Sequence, residues 1–358
     1  MTVAREDQYD PAAPPWIHAV SRCVRRAYLA GGKFEHRKDW LEQRLRLLAE
    51  VFAVQVAGYA VMSNHLHVVL RMQPEVARGW SAASVVERWW TIYPLQRLRD
   101  GTPVPATATQ IRQQAQNAAW VETRRRRLAD LGWLMRGLKE DIARRANRED
   151  GCTGAFWEGR FTSVPLLDNA ALVACMAYVD LNPVRAKIAP TPEDSLHTGG
   201  RARIRARSRW QAAVKLRVRG RDLARVQRLL ERAGLDARAT HAEDGLWLTP
   251  LAQCQVAAPE GRIAAGLENP MTLDEYLNLL DATGRTLAAG KRGTIDPRLA
   301  PILARLDLRV EDWIATMVGW RMLWGGSAIG RHATRAAEAA RRGLAWIRNR
   351  CPLFAQAG

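Results

Sequence analysis

The spacing of apolar residues predicts alternating strands and helices over the first half of the chain. Residues 16–27 (WIHAVSRCVRRA) alternate loosely and are rich in β-branched side chains, which favours a strand. Residues 36–50 carry leucines at helical spacing, so we expect a helix there. The apolar runs 52–62 and 65–72 are separated by the turn signal Ser63-Asn64 and predict two consecutive strands.

The pattern continues with further helices and one more strand. Residues 73–150 are mostly helical and charged in character, and residues 161–168 are typical of a strand that ends at a possible helix N-cap, Asp168. Residues 169–182 carry an apolar stripe, and Pro183 sets the end of that helix because the residue before proline disfavours helical geometry. The order of these elements predicts an α+β fold, a ferredoxin-like split βαβ domain with an antiparallel sheet.

The amino-acid composition of the chain changes after Ala189. The segment TPEDSLHTGG is typical of a linker, and residues 201–221 hold nine basic residues and no acidic one. We therefore predict a first domain over residues 1–195, with a helical insertion at about 73–150, and a basic linker with a helical accessory domain over residues 196–358. The helices of the second part are expected around residues 222–233, 272–282 and 333–349.

The charge balance narrows the classes of partner. The 358 residues include 54 basic and 36 acidic side chains, a formal net charge of +18, and 48 of the basic residues are arginines. Arginine is suited to bidentate phosphate contacts and to stacking on bases, so the surface fits a polyanion, nucleic acid first of all. A protein from an arginine-rich proteome would have the same composition without binding any polyanion.

The sequence argues against several classes of protein. We expect no signal peptide, because the first residues show no apolar core behind a basic cap, and no run reaches the roughly 18–20 apolar residues that span a membrane. The five cysteines are scattered without a CxxC pair, which disfavours a zinc knuckle or a disulfide framework. We expect a reduced, cytoplasmic and nucleoid-associated protein, either a monomer or a homodimer.

Two histidines are the first candidate functional residues. His65 and His67 lie two apart in a predicted strand, so both imidazoles project from one face, while Leu66, Val68 and Leu70 point to a core. Two neutral imidazoles on one rigid face make adjacent ligands for a divalent metal. The pair is also compatible with a half-exposed sheet face that binds no metal.

Tyr178 and Asn182 are the second candidate pair. They lie four residues apart in the predicted helix and therefore share a face, which otherwise offers small side chains such as Ala174. Small neighbours leave room for a substrate beside the tyrosine. A buried tyrosine that anchors a helix end to a carbonyl would show the same spacing.

The strings around these residues resemble the signature motifs of a known enzyme family. VMSNHLHVVLR (61–71) and AYVDLNPVRAKI (177–188) are similar to the two motifs of single-tyrosine HUH transposases, and YVDLNPVRA is similar to the REP-associated tyrosine transposases in particular. WEGRF (157–161) resembles the family's aromatic-rich approach to the last strand. The resemblance covers about residues 18–190, while residues 196–358 have no counterpart in the minimal family.

The resemblance implies an enzyme that cleaves and rejoins single-stranded DNA through a 5′-phosphotyrosine. Tyr178 is implied to be the nucleophile, and His65, His67 and Asn182 the ligands of Mg²⁺ or Mn²⁺, with Asn182 where related enzymes use a glutamine. The implied substrate is single-stranded DNA beside a short hairpin, as in repetitive extragenic palindromes.

Arginines are the expected contacts to that DNA, because guanidinium groups bind phosphates and stack on unpaired bases. His18, on the first strand, is more consistent with a structural histidine than with a site residue. The arginines expected nearest to the DNA are Arg22, Arg25 and Arg26 on the first strand, Arg160, and Arg185 after the tyrosine helix.

Two arginine runs each allow two interpretations. Arg124–Arg127 fit a solvated helix face or a DNA contact. Alternating arginines between Arg201 and Arg209 would all face one phosphate backbone if the segment were extended, whereas a flexible basic linker explains them equally well. The C-terminal part is accordingly either an accessory DNA-binding unit or a cover for an apolar surface, to which Trp313, Trp320 and Trp324 would contribute.

Three other functions fit parts of the pattern. A domesticated DNA-binding protein on the same scaffold would not cut, but drift would be expected to erase at least one of the four motif residues. A sheet-based RNA-binding module would carry exposed aromatic residues on the histidine strand, which has none. A plasmid-type relaxase is the nearest other enzyme, but the NPVR tail and the single candidate tyrosine favour a transposase.

Overall fold

A computed structural model describes residues 9–99, 101–218, 241–256, 270–288, 308–319 and 328–348, together with a few single positions outside these ranges. Within them the protein is a mixed α+β structure with a four-stranded antiparallel sheet and many helices. The sequence predicts this class from the alternation of its apolar positions. No helix in the described ranges is both long and apolar enough to span a membrane.

The strands and helices begin and end close to the positions that the sequence predicts for the first 180 residues. In chain order they are β1 (Trp16–Arg22), α1 (Arg37–Val51), β2 (Val54–Val61), β3 (His65–Met72), α2 (Pro74–Arg78), α3 (Ala82–Ile92), β4 (Gln96–Arg97), β5 (Pro103–Val104), α4 (Ala108–Ala115), α5 (Ala118–Leu128), α6 (Leu131–Glu149), β6 (Thr162–Leu166), α7 (Asn169–Asp180), α8 (Asn182–Arg185), α9 (Gly199–Val218), α10 (Leu273–Ala288), α11 (Val310–Gly319) and α12 (His332–Arg341).

The main sheet has the strand order β2-β3-β1-β6, and each neighbouring pair is antiparallel. Successive side chains of a strand point to opposite faces, so the sheet carries two cores. Leu66, Val68 and Leu70 of β3 are buried in a cluster with α1 and α6. The opposite face, which includes Trp16 and Val69, packs against α7. The sheet therefore has helices packed on both of its faces.

The first strand is shorter than the sequence predicts. β1 ends at Arg22, and the next residues form a 3-10 turn in which Arg25 and Arg26 have positive φ angles of 52° and 54°. The backbone N–H groups of Cys23 and Val24 still donate to the carbonyls of Asn64 and Phe156 at 2.8 and 3.0 Å, and the chain turns away at Arg25 and Arg26, whose φ angles no strand residue adopts. The prediction that Arg25 and Arg26 lie on the first strand is wrong, and both side chains are exposed on the turn.

The arginine-rich segment after the linker-like residues is a helix and neither an extended segment nor a flexible linker. α9 packs against β2, α7 and α10. Residues two apart on a helix point in different directions, so the alternating arginines are distributed around α9. Arg203 is fully buried, whereas Arg205 is exposed. The expectation that these arginines share one side is therefore wrong.

The described C-terminal residues share a hydrophobic cluster with the sheet. All 12 residues of α7 are buried, which agrees with a helix that is apolar on every side. Its outer side packs against α10 and α11, which contribute Tyr276 and Trp313 to the cluster. Trp320, Trp324 and most of residues 222–233 lie outside the described residues. The division into two domains at about residue 195 stays a prediction.

Candidate functional site

The paired histidines lie on the sheet face that packs against α7. Their strand places His67 opposite Val20 and His65 opposite Arg22 of β1. His67 is fully buried, and His65, the first residue of β3, is half-buried. The two rings are nearly perpendicular, with their centroids 4.7 Å apart. The expected common face of the two imidazoles is thus present in the structure.

Both ring nitrogens of His67 lie within hydrogen-bonding distance of a side chain. Its Nδ1 is 2.9 Å from Nε2 of His18, and its Nε2 is 2.8 Å from Nδ2 of Asn182. The rings of His18 and His67 are stacked at a centroid distance of 5.1 Å. These three side chains connect β1, β3 and α8 at one point below α7.

Burial keeps the two inner histidines neutral. Burial, and to a smaller extent the neighbouring His65, lower the pKa of His18 to about 3. Burial also lowers the pKa of His67 well below its usual value. A neutral imidazole carries a lone pair on one nitrogen, which is the form that binds a metal ion. The sequence favoured a structural role for His18 over an approach to the site from the first strand, and the structure places it in contact with His67.

Asn64 connects the outer histidine to the basic turn. Its Oδ1 lies 2.7 Å from Nδ1 of His65, and its Nδ2 donates to the carbonyl oxygen of Arg26 at 3.0 Å. When Nδ1 of a neutral imidazole donates its proton to an amide oxygen, Nε2 carries the lone pair. The turn residue Asn64 therefore orients His65 so that its Nε2 is available as a metal ligand.

Tyr178 lies on α7 above the histidines. Its ring centroid is 5.7 Å from that of His67 and 6.3 Å from that of His18, both in an edge arrangement. The guanidinium carbon of Arg185 is 4.7 Å from the tyrosine ring centroid. Burial raises the pKa of Tyr178, while the charge of Arg185 and hydrogen bonds with Arg185 and Asn182 oppose the rise. The hydroxyl is accordingly protonated at neutral pH.

The turn after α7 returns Asn182 and Arg185 to the site. The helix ends at Asp180, two residues before the predicted end, and Asn182 begins the separate short helix α8. Pro183 is tolerated in the first turn of a helix, where its missing N–H needs no intrahelical partner. The bend directs the Asn182 amide to His67, while Nη2 of Arg185 donates to the carbonyl oxygen of Val318 at 3.0 Å.

An open cavity of about 560 Å³ lies in front of this cluster. His65, Tyr178 and Asn182 line it together with three cationic side chains. No carboxylate is found among its described lining residues, so its wall is positively charged and suits phosphate groups. The arginines that line it are Arg22, Arg26 and Arg185.

The other two arginines expected at the DNA lie elsewhere. Arg25 is exposed on the turn after β1 and is not among the lining residues of this cavity. Arg160 lines a separate cavity of about 450 Å³, together with Lys139, Trp157 and Phe161. The structure thus brings three of the five predicted arginines to the site.

The acidic residue of the second motif faces away from the cavity. Asp180 is buried, and its Oδ2 accepts a hydrogen bond from the Tyr276 hydroxyl at 2.6 Å. A Cβ at Gly200 would lie 3.0 Å from the Asp180 carboxyl carbon, so glycine permits the close approach of α9. Burial raises the pKa of Asp180 to about 6. Asp180 therefore fastens α7 to α9 and α10.

The donor set suits a divalent cation. His65 and His67 offer imidazole nitrogens, and the Asn182 amide, whose nitrogen faces His67, would offer its oxygen to a metal once its two ends are exchanged. Mixed nitrogen and oxygen ligands are compatible with Mg²⁺ or Mn²⁺. In the part of the chain that the structure describes, no group of three or more His, Cys, Asp or Glu side chains could hold a metal. The two histidines and the amide are the candidate ligands that the motifs mark.

Comparisons with protein-family models, with curated proteins and with solved structures found no match to this chain. The interpretation of the site therefore depends on its own residues and on the two sequence motifs that contain them.

Proposed function

We propose that this protein is a metal-dependent transposase of the single-tyrosine HUH type, which cleaves and rejoins single-stranded DNA next to hairpins. One observation carries the proposal. His65, Tyr178 and Asn182 line one cationic cavity, and Asn182 contacts the buried His67 behind it, although 115 positions separate these two residues in the sequence. These are the residues that the two motifs mark, and an unrelated core would have no reason to bring them together.

The arrangement of the sheet supports this proposal. α1 connects β1 to β2, a tight hairpin joins β2 to β3, and several helices connect β3 to β6. With the strand order β2-β3-β1-β6, this connectivity is compatible with the proposed ferredoxin-like split βαβ domain. The helix after the last strand, α7, packs on the histidine face and carries the tyrosine. This placement brings the tyrosine of the second motif to the histidines of the first.

The Tyr178 hydroxyl is the proposed nucleophile. Its oxygen attacks a backbone phosphorus in line with the bond to the 3′ oxygen of the preceding nucleotide. The new bond joins the tyrosine oxygen to the 5′ phosphate, and the broken bond releases a 3′-hydroxyl. The phenol proton passes to water or a base, and the leaving 3′ oxygen takes up a proton. One phosphodiester replaces another, so the step needs no ATP and can be reversed to rejoin strands.

The surroundings of Tyr178 favour this attack in two ways. The guanidinium of Arg185 and the hydrogen bonds with Arg185 and Asn182 stabilise the phenolate against the effect of burial. Arg22 and Arg26 bind the backbone phosphates at the cavity wall. A divalent cation held by His65, His67 and Asn182 would polarise the phosphate that is attacked.

A non-cleaving DNA-binding protein on the same scaffold is the second candidate function. The burial of Tyr178 favours it, because the side chain is only 2% exposed and packs against two histidine rings, as an anchoring tyrosine would. The arginines of the cavity would then bind DNA without any chemistry. The two functions differ in one observable, the covalent bond between protein and DNA.

A covalent-trapping experiment separates the two candidates. The full chain is incubated with Mg²⁺ or Mn²⁺ and hairpin-bearing single strands from the neighbourhood of its own gene, and the products are separated under denaturing conditions. A 5′-phosphotyrosine keeps the 3′ part of the strand on the protein, so a 3′-end label marks the protein band and a 5′-end label does not. A transposase gives this asymmetric result, whereas a non-cleaving protein binds the strands and gives no labelled band.

Two tyrosine variants serve as a matched pair in this experiment. Tyr178→Phe keeps the ring and should abolish the labelled band while DNA binding stays nearly intact. Tyr28→Phe changes a side chain that is 69% exposed and should leave the band unchanged. A labelled band that persists in Tyr178→Phe would contradict the assignment of the nucleophile.

A further inference from the structure

The helices between β3 and β6 carry arginine and tryptophan side chains in an alternating stack. Each guanidinium carbon lies 4.2–5.8 Å from the indole centroids that it faces, which is the range of a cation–π contact. The stack connects α3, α5 and α6. We call it the arginine–tryptophan ladder, and its members in spatial order are Trp120, Arg124, Trp89, Arg127, Trp133 and Arg136.

The ladder changes the interpretation of the run Arg124–Arg127. Arg124 and Arg127 face indole rings, and Nη1 of Arg125 donates to the carbonyl oxygens of Ala77 and Trp80 at 2.7 Å. Arg126 is the member of the run that is exposed. The run is therefore not a uniformly solvated helix face, and its four guanidinium groups have different surroundings.

Most of the positive charge on α5 is not balanced by ion pairs. Arg125 pairs with Glu122, but Arg126 and Arg127 have no carboxylate within 4.0 Å among the described residues. The Nε atom of Arg124 is buried without a hydrogen-bond partner in the same part of the chain. Stacking on an aromatic ring leaves the positive charge of a guanidinium in place, so this surface remains cationic.

An open cavity of about 340 Å³ lies beside the C-terminal end of α5. Arg126, Arg127 and Trp133 line it, with Thr123 and Asp130. A flat aromatic surface next to guanidinium groups is the combination that holds an unpaired base and its phosphate. A duplex hides the faces of its bases, so this cavity fits a single strand better than a double one.

The cationic and aromatic side chains continue toward the candidate site. Arg136, the last member of the ladder, also lines the cavity of about 450 Å³ that contains Arg160 and Phe161. Trp157 of that cavity pairs with Cys23 in an isolated β-bridge, and Cys23 follows Arg22, which lines the site cavity. We call the ladder and the two cavities of about 340 and 450 Å³ the track, and the buried bridge joins it to the strand that carries Arg22.

We propose that this track binds a single DNA strand at a surface separate from the histidine–tyrosine site. Bases stack on Phe161, and phosphates contact Arg126, Arg127 and Arg160. The choice of DNA rests on the proposed function, but none of the residues in the track belongs to the groups that would carry out the chemistry. The track would hold the strand that leads away from the cleavage point.

The experiment measures binding without cleavage. A fluorescent oligodeoxythymidine of about 15 nucleotides, which forms no hairpin, is titrated with the full chain in EDTA at several salt concentrations. Arg126→Ala removes an exposed charge and should weaken binding about tenfold and lower the salt slope by roughly 0.7. Arg127→Lys keeps the charge but loses the flat guanidinium, so it should weaken binding with an unchanged slope. Arg285→Ala, at a 70% exposed position on α10, is the control and should change neither quantity.

Three results would overturn the proposal. The first is wild-type affinity in both Arg126→Ala and Arg127→Lys. The second is tighter binding of an RNA or a duplex of the same length than of the single DNA strand. The third is a lower melting temperature of Arg127→Lys with unchanged DNA affinity, which would make the ladder purely structural. Because EDTA prevents cleavage, weaker binding in the two variants supports the track even if the wild-type protein forms no covalent bond to DNA.

Discussion

The two arginine-rich helices α5 and α9 use the same side chain in opposite ways. On α9, the buried guanidinium of Arg203 donates to the carbonyl oxygens of Ala57 and Thr249 at 2.8 Å and to the Glu243 carboxylate at 3.0 Å. On α5, Arg127 lies over indole rings and Arg126 is exposed, and neither has a carboxylate partner in the described ranges. The partners of an arginine, and not its place in a basic run, decide whether it stabilises the fold or remains available to a ligand.

The physical reason for the difference is the cost of burying a charge. A guanidinium that is taken out of water must have its donors satisfied, and a charge partner must compensate the lost hydration. Glu243 provides this partner, and it also accepts from the backbone N–H of Leu251 at 3.2 Å. Arg203 thereby joins α9, β2 and residues 241–256. The exposed guanidinium of α5 stays hydrated and can exchange water for phosphate.

Removal of α9 is the strongest test of its structural role. Truncation after residue 195 deletes Arg203 and also uncovers α7, all of whose 12 residues are buried. The exposed apolar surface should make the fragment insoluble or abolish its cooperative unfolding transition. Solubility and urea unfolding followed by circular dichroism check this. A soluble fragment with a cooperative transition would show that residues 1–195 fold without residues 196–358 and would contradict this role.

A single substitution on α9 should have the next largest effect. Arg203→Ala leaves the Glu243 carboxylate and two carbonyl oxygens buried without their donor, so the free energy of unfolding should fall by about 3–5 kcal/mol. The matched variant Arg205→Ala, two positions along the same helix and exposed, should change it by less than about 0.5 kcal/mol. Equal changes in the free energy of unfolding for the two variants would contradict the distinction between buried and exposed arginines.

Buried histidines sharpen the comparison, because burial leaves them neutral while Arg203 stays charged. The pKa of His18 is lowered from 6.5 to about 3, so between these values the unfolded chain binds a proton that the folded chain does not. Stability should therefore fall as the pH falls through this range, by about 2 kcal/mol for His18 between pH 7 and pH 5. Urea unfolding in EDTA at both pH values, with wild type and His18→Gln, measures the difference. The control His241→Gln changes an exposed histidine and leaves His18 and His67 in place. Its free energy of unfolding should therefore fall between pH 7 and pH 5 as much as that of the wild type.

The stacking on α5 should make the smallest contribution to stability. Arg124→Met keeps the hydrocarbon stem against Trp120 and removes the cation, so the free energy of unfolding should fall by about 0.5–1 kcal/mol. Arg112→Met on α4, an exposed position, is the control. A loss as large as that of Arg203→Ala would mean that the ladder holds the helices together and that both basic helices are structural.

The sequence predicted what depends on local spacing. The order of strands and helices follows from apolar periodicity, and the common face of His65 and His67 follows from the two-residue repeat of a strand. The pairing of His18 with His67 depends on the register between β1 and β3, which no local pattern encodes. The end of α7 two residues early, which turns Asn182 toward His67, likewise depends on the packing of α8.

The arginines show where local patterns mislead. Alternation between Arg201 and Arg209 has the period of a strand, but the segment is helical and packs against β2, so it buries Arg203 and exposes Arg205. The ladder could not be predicted from local patterns either, because its rings come from three helices that are separate in the sequence. Both features arise from contacts between elements that are distant along the chain.

The central claim is that Tyr178 forms a covalent bond to DNA, and the most direct measurement locates that bond. After reaction with a hairpin-bearing strand and Mn²⁺, nuclease and trypsin digestion leaves a short nucleotide on the modified peptide. The tryptic peptide 161–185 contains Tyr178 as its only tyrosine. Mass spectrometry should find the nucleotide on Tyr178 of this peptide and no modified peptide in Tyr178→Phe. A nucleotide on another residue, or an unmodified peptide from protein that has bound the strand, would contradict the account.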